Sequence, residues 1–305
     1  CIENMVLKSG STGLALATVL IDDEEDPLVS VLHRIAHFSA NNPDEHLAPF
    51  INVRHTDRKH GDGRPIDAAF LEELEQAAHT NGSILHVITD RQRIARIAAI
   101  AGAAERVRIM NPSGHFEFFG REVRWSTEAA ARSKDGLDVA TLELDAVGRT
   151  GLRAASDPQA VALVREAGGG RGFEKMSSDA IHSTPAIALI SVPSHSPSAR
   201  LNGGRSAQRM WLSATKHGIT VHPISAAIFL GHAAKTLTSP VLSTMERDEL
   251  LALRTDLVEL FALGQREPLF MMRLSHADAA SARSLRRPID EMFFSAQPIP
   301  GSTWK

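Results

Sequence analysis

The sequence predicts an α+β fold in which a central mixed sheet is flanked by helices. Apolar stripes recur at helical spacing, as in Ile94, Ile97, Ala98 and Ala101. Short apolar runs bounded by turn residues, such as "IALISV" (187–192), have the length and composition of buried strands. One helix-to-strand unit also occurs at both ends of the chain: "SAQRMWLSATKHGITVHPIS" (206–225) and, more faintly, "IENMVLKSGSTGLAL" (2–16).

The elements follow in order. In the first unit Ile2, Met5, Val6 and Ser9 fall on one helical face, Gly13 suits the left-handed stop, and "LALATVLI" (14–21) is a strand. "PLVSVLHRI" (27–35) alternates as a second strand. A basic loop (52–65) leads to a helix over 66–82, which Asp67 caps and Ala68, Leu71, Leu74 and Ala78 stripe. "SILHVIT" (83–89) is a strand and 90–107 a helix. Residues 114–136 have a helical pattern with Phe116, Phe118, Phe119 and Trp125 among charges, either a packing helix or a lid. Residues 150–180, with "GGGRG" (168–172), are expected to be loop-rich, and 193–204 a turn-forming linker. The second unit follows, with Ala207, Met210, Trp211 and Ala214 facing inward and Gly218 as the stop. A long helix from about Glu246 to Leu263, a strand over 268–274 and an extended tail complete the chain.

Composition narrows the functional classes. The 305 residues are 43% hydrophobic and 23% charged, an ordinary globular mixture. A net charge of -3 gives no field favouring nucleic acid or anionic membranes. The longest apolar runs, such as "TPAIALISVP" (184–193), are too short to span a bilayer. The single cysteine, Cys1, has no internal partner, which fits a reducing, cytoplasmic compartment. Cys1 is not a methionine and stands inside a helical pattern, so the natural protein is expected to extend further forward.

With an offset of 205 the two units match Met5 to Met210, Leu7 to Leu212 and Gly13 to Gly218. "DPLVSVLHRI" (26–35) parallels "EPLFMMRLSH" (267–276), and "RPID" occurs at 64–67 and 287–290. Three matches in the same order support internal duplication.

These residues resemble the flavin-dependent nitroreductase family. "AQRMWLSATKHGI" is similar to that family's A-x-x-x-L-x-A-x-x-x-G-L helix before a sheet strand. Arg54-His55-Thr56-Asp57-Arg58 resembles its R-[ST]-x-R loop, and "SLRRPID" (284–290) its basic C-terminal arm. The order is similar to the Acg-like branch, in which one chain carries two fused lobes as a pseudo-dimer, and to the nitroreductase-like half of ThiF-type fusions. The resemblance implies a nitroreductase-like fold, with residues 1–50 a remnant of one lobe that lacks its front and 51–305 the second lobe with its arm. It implies FMN as cofactor, NAD(P)H as reductant, a small-molecule substrate and a monomer, since a fused pseudo-dimer needs no second copy. The family's S-x-x-N-x-Q-P-W stretch has no counterpart here, and "HTNGSILHVIT" (79–89) lacks the Gln-Pro-Trp. An inactive flavin-sequestering or regulatory domain, serving a fused or separate adenylating domain, is therefore the alternative.

A flavin mononucleotide needs its phosphate dianion paired, and the planar guanidinium does this best. The candidates are Arg54, Thr56 and Arg58 in the loop with Arg286 and Arg287 on the arm; the alternative is solvated charge paired with Asp57, Asp62 and Asp290. Arg205, after Gly203-Gly204, stands where a helix is expected to begin and meet an anion, or is a surface arginine beside a hinge. No protein nucleophile is needed, because the cofactor carries the hydride chemistry. "GGGRG" lacks the Gly-Lys-Ser/Thr of a phosphate loop, His33 and His37 lack a third zinc ligand, and no G-x-S-x-G elbow occurs.

Overall fold

The computed structural model describes residues 2–10, 14–20, 30–37, 45–79, 82–236, 241–288 and 291. Helix α1 (Ile2–Gly10) precedes the antiparallel hairpin β1 (Leu14–Leu20) and β2 (Ser30–His37). A 3-10 helix (Glu45–Ile51) leads to the basic loop and α2 (Ala68–Ala78), where Asp67 accepts from the Ala69 amide at 2.8 Å. Strand β3 (Ile84–Ile88) and α3 (Arg91–Met110), capped by Asp90, follow.

An excursion packs against the end of α3. It comprises α4 (Pro112–His115), a π-helical turn (Phe116–Glu122), β4 (Val123–Arg124), α5 (Thr127–Ser133), β5 (Leu137–Asp138) and a 3-10 turn (Val139–Leu142). It continues through α6 (Ala146–Ala154), α7 (Pro158–Glu166) and α8 (Arg171–His182). The chain ends with β6 (Ala186–Val192), α9 (Pro197–Lys216), β7 (Thr220–Pro223), α10 (Ala226–Thr236), α11 (Thr244–Leu260) and β8 (Glu267–Ser275).

The main sheet has order β3-β6-β8-β7. It is antiparallel at every pairing, not mixed as expected. Strand β6 is buried on both faces and so has the continuous apolar run usual in parallel sheets, a pattern that carries no strand direction. One face, with Ile187, Leu189 and Met271, packs on α3, α10 and α11. The other, with Ala188, Ile190 and Met272, packs on α2 and α9. Alternation across the pleat thus supplies two cores from one sheet.

Three other expectations are corrected. Residues 150–180 are mostly helical: Asp145 and Asp157 cap α6 and α7, and of "GGGRG" the three glycines 168–170 separate α7 from α8, with Gly168 and Gly170 at positive φ, while Arg171 and Gly172 begin α8. The linker 193–204 is mostly the first half of α9, because Ser196 caps it and Pro197 takes its first turn. Gly203 lies against the sheet: a Cβ there would stand 2.1 Å from Leu269 Cδ2. The segment 114–136 is broken by β4 and a new cap at Ser126. Helix α10, an apolar stretch unassigned from sequence, covers the first face of the sheet.

In α1 the inward face is Glu3, Leu7 and Ser9, while Met5 is exposed. The helix lies against α9. Arg209 donates to Glu3, and Gln208 Nε2 donates to Asn4 Oδ1 at 2.8 Å. Under the offset of 205, Glu3 is equivalent to Gln208 and Asn4 to Arg209, so the two contacts exchange as across an isologous interface. The equivalent Leu7 and Leu212 share one buried cluster with Leu47 and Ala48. Gly13 and Cys1 lie outside the described residues.

Candidate functional site

The loop that follows the 3-10 helix is held by backbone bonds along the β7 edge. The Asp57 amide donates to the Val221 carbonyl at 3.1 Å, and the Asp62 amide to His276 at 2.9 Å. A side chain at Gly61 would collide with Ser275 and the Ser183 carbonyl, both under 3.0 Å from its Cβ. Asp57 is buried and accepts from the Lys59 amide at 2.9 Å, which stiffens the turn between the two arginines.

Arg54 lies over the buried Trp211, its guanidinium carbon 4.3 Å from the ring centroid. Its Nε is buried with no hydrogen-bond partner. Beside it, Arg286 donates to the carbonyls of Ile51 at 3.1 Å and Arg54 at 2.8 Å. Burial, and then the charge of Arg286, lower the Arg54 pKa. Among the described residues no carboxylate pairs with either guanidinium.

Arg58 turns the other way, into the wall of a cleft of about 580 Å³. It donates to the carbonyl of Thr141 at 3.3 Å. Burial lowers its pKa, opposed by Asp57 and Glu143. The cleft lies between the loop, the 222–230 segment, α3 and α8, with Leu142, Phe118 and Phe229 among its apolar walls. Its volume is within the range of small-molecule sites, about 300–1,000 Å³. Arg108 bonds Glu105 at 3.2 Å and Glu122 at 2.7 Å inside it. Burial raises the Glu105 pKa.

The other candidates are dispersed. Thr56 is half-buried between the two arginines. Arg287 donates to the Lys134 carbonyl at 2.7 Å, at a smaller cavity of about 270 Å³ that Arg286 also lines. The two arm arginines bond different segments, Arg286 the carbonyls of Ile51 and Arg54 and Arg287 that of Lys134. Arg205 stands eight residues inside α9, not at a helix start, and its Nε is bound by the buried Glu3 at 2.6 Å. Asp62 serves Arg64 at 2.6 Å, and Asp290 lies outside the described residues.

Sequence reasoning passed over Arg273 and His222, which flank Arg58. An arginine inside the apolar strand "PLFMMRL" was the available signal, since a buried charge demands partners. Phe118 also lines the cleft, whereas Phe116 is exposed. The aromatic segment is therefore part packing and part cleft wall.

No family model matches the chain. Over 271 residues it is 29% identical to uncharacterized protein MT1398 of Mycobacterium tuberculosis (strain CDC 1551 / Oshkosh), covering 87% of this chain and 37% of that protein. The chain thus spans little more than a third of that relative's length. Among solved structures it is similar to the FMN-dependent nitroreductase NfnB from Mycobacterium smegmatis in complex with NADPH, at 15% identity, 83% of this chain, 99% of that chain and a TM-score of 0.45. A nitroreductase with bound FMN from Desulfitobacterium hafniense DCB-2 is 11% identical, over 82% of this chain and 98% of that one, with a TM-score of 0.43. No helix among the described residues is long and apolar enough to cross a membrane.

Proposed function

We propose that the chain forms an FMN-binding, NAD(P)H-dependent oxidoreductase unit of nitroreductase type, with two nitroreductase-like lobes in one chain. Residues 1–50 supply part of one lobe and 51–305 the other, joined by the reciprocal α1–α9 contacts. One observation carries the cofactor assignment: Arg54 and Arg286 are adjacent guanidiniums with no carboxylate among the described residues, and Arg54 Nε is buried without a partner. A half-buried guanidinium with an enclosed, unbonded Nε, beside a second and exposed guanidinium, leaves a cationic donor set that an anion completes. A phosphate fits that donor set, because it takes parallel hydrogen bonds from both forks.

When bound, FMN supplies the hydride transfer. The protein's own residues hold and shield. Arg54 is held by the Trp211 ring and Arg286 by two carbonyls, so neither loses much side-chain freedom on meeting a phosphate. Arg58 places a positive charge in the wall of the cleft, near apolar side chains such as Leu142 and Phe229.

The test is a titration of FMN followed by absorbance and fluorescence quenching. Arg54→Ala and Arg58→Ala are each expected to weaken FMN at least about 10-fold while leaving the melting temperature within a few degrees. Equal affinity in all three proteins rejects the reading. The absence of Gln-Pro-Trp from 79–89 favours a second reading, a flavin-sequestering or regulatory domain serving an adenylating domain. A flavin-loaded protein that does not oxidise NADPH with a quinone or nitroaromatic acceptor selects it. The chain is expected to be a monomer in sedimentation, since α9 already has α1 as its partner.

A further inference from the structure

The cleft wall carries an imidazole whose proton position is fixed by its neighbour. His222 lies in β7 directly across from Arg273 of β8. Arg273 is buried; its Nε donates to His222 Nδ1 at 3.0 Å and its Nη2 to the Lys59 carbonyl at 2.7 Å. Burial brings its pKa down to about 10, so it remains a cation at neutral pH. A guanidinium only donates, so Nδ1 must accept and the ring proton must sit on Nε2. A doubly protonated ring would set its own N–H against that of Arg273. Burial, and then Arg273 and Arg58, hold the His222 pKa well below 6.5. Nε2 has no hydrogen-bond partner among the described residues, and the ring lines the cleft with Arg58, Pro223 and Ile224.

We infer that His222 is a specificity-determining donor, an imidazole whose tautomer Arg273 sets and which presents Nε2–H to an acceptor atom of the molecule that occupies the cleft. The acceptor is a carbonyl oxygen or an unprotonated ring nitrogen. A ligand offering a hydrogen there leaves two donors facing each other, which costs more than the lost bond. Arg273 is the positioning residue, since it chooses the tautomer without lining the cleft. The identity of the occupant rests on the flavin reading, because a flavin edge presents acceptors of both kinds.

Nitrogen-15 spectra of the histidine rings of the free protein test the donor independently of any ligand. One ring, absent from the spectrum of His222→Phe, is expected to keep Nδ1 unprotonated and Nε2 protonated from pH 8 to pH 5. The opposite tautomer, or titration of that ring near 6.5, overturns the inference. In FMN titrations His222→Phe is expected to bind about 10-fold more weakly, while His222→Gln, which keeps an N–H, stays within about 3-fold of the wild type. Equal binding by His222→Phe and wild type overturns the donor role and leaves the flavin reading standing. A wild type that binds no FMN overturns the flavin reading and the occupant named here, while the ring spectra still decide the donor. Arg273→Met is expected to release the ring toward ordinary titration; should that variant not fold, the wild-type pH series decides.

Discussion

The two helix-to-strand units share a sequence pattern yet live in different surroundings. In the second, α9 is sandwiched between the sheet and α1, and its inward face is fully enclosed. In the first, α1 packs on α9, on the 3-10 helix and on β1 of the small hairpin, and Met5 stands on its exposed side. Met210 is therefore 0% exposed and its counterpart Met5 46%. The same residue type at the same position is core in one copy and surface in the other. Pairing differs as well: Leu16 opposes Arg34 and its counterpart Val221 opposes Leu274, one place out of step with the sequence match between the returning strands. The two strand pairs thus share their order of elements but not their register. Burial follows what is built around a unit, not the unit's own letters.

The widest gap between the copies is expected at the paired methionines. Met210→Ala opens a cavity between α9 and the sheet and is expected to destabilise by about 3 kcal/mol. Met5→Ala should change stability by less than about 0.5 kcal/mol. Urea unfolding of both variants checks this, and equal losses would mean that α1 is as enclosed as α9. The polar pair comes next. Glu3 is buried between Arg205 and Arg209, so Glu3→Gln leaves two half-buried cations without their anion and is expected to cost about 2 kcal/mol. Gln208→Ala, the symmetry-related change, removes one neutral hydrogen bond to Asn4 and should cost less than about 1 kcal/mol.

Much of the second copy's architecture was legible in the sequence, because its strands and helices are long, periodic and capped. Asp67, Asp90 and the apolar run of β6 announce their elements directly. What stayed illegible were the places where small or polar residues mean something only in context. "PSARLNGG" has the composition of a linker, yet Ser196 and Pro197 start a helix there and the sheet requires its glycine. The candidate site was half legible. Cations in the loop and arm were visible, but whether each meets a carbonyl, a carboxylate or nothing depends on residues far away in the chain. Arg205 is the plain case, since its partner Glu3 lies at the other end of the sequence.

A smaller effect separates the two glycines of α9. Gly203→Ala forces the new methyl against the tip of Leu269 and Val192 Cγ1, which a rotamer change relieves only in part, so a loss of about 1–2 kcal/mol is expected. Gly204 faces open space, and alanine there should gain up to about 1 kcal/mol from helix propensity. Thermal unfolding should move in opposite directions for the two variants. A shared sign would mean that α9 stands farther from β6 and β8 than these contacts require.

The smallest expected effect concerns Glu267, which opens the acidic-Pro-Leu match of the second copy; its counterpart Asp26 lies outside the described residues. Glu267 is bonded by Arg254 and by Lys235 at 2.7 Å, and His195 Nε2 stands 3.3 Å away with its ring tilted against His232, the centroids 3.9 Å apart. Arg200 also faces the pair, so one carboxylate serves several cations. Burial, and then this positive surrounding, lower the pKa of both histidines, against which Glu267 acts only in part. A histidine whose folded pKa lies below its unfolded value takes up more protons in the unfolded chain. Stability from the pair is thus fully present above the unfolded value near 6.5 and falls as pH drops through the window down to the folded pKa. His232→Gln removes one proton site and the charge it would add beside His195, so its melting temperature should fall less between pH 7 and pH 5 than that of the wild type. A steeper fall in the variant would show that protonated His232 is welcomed by Glu267, and that the carboxylate outweighs the three cations around it.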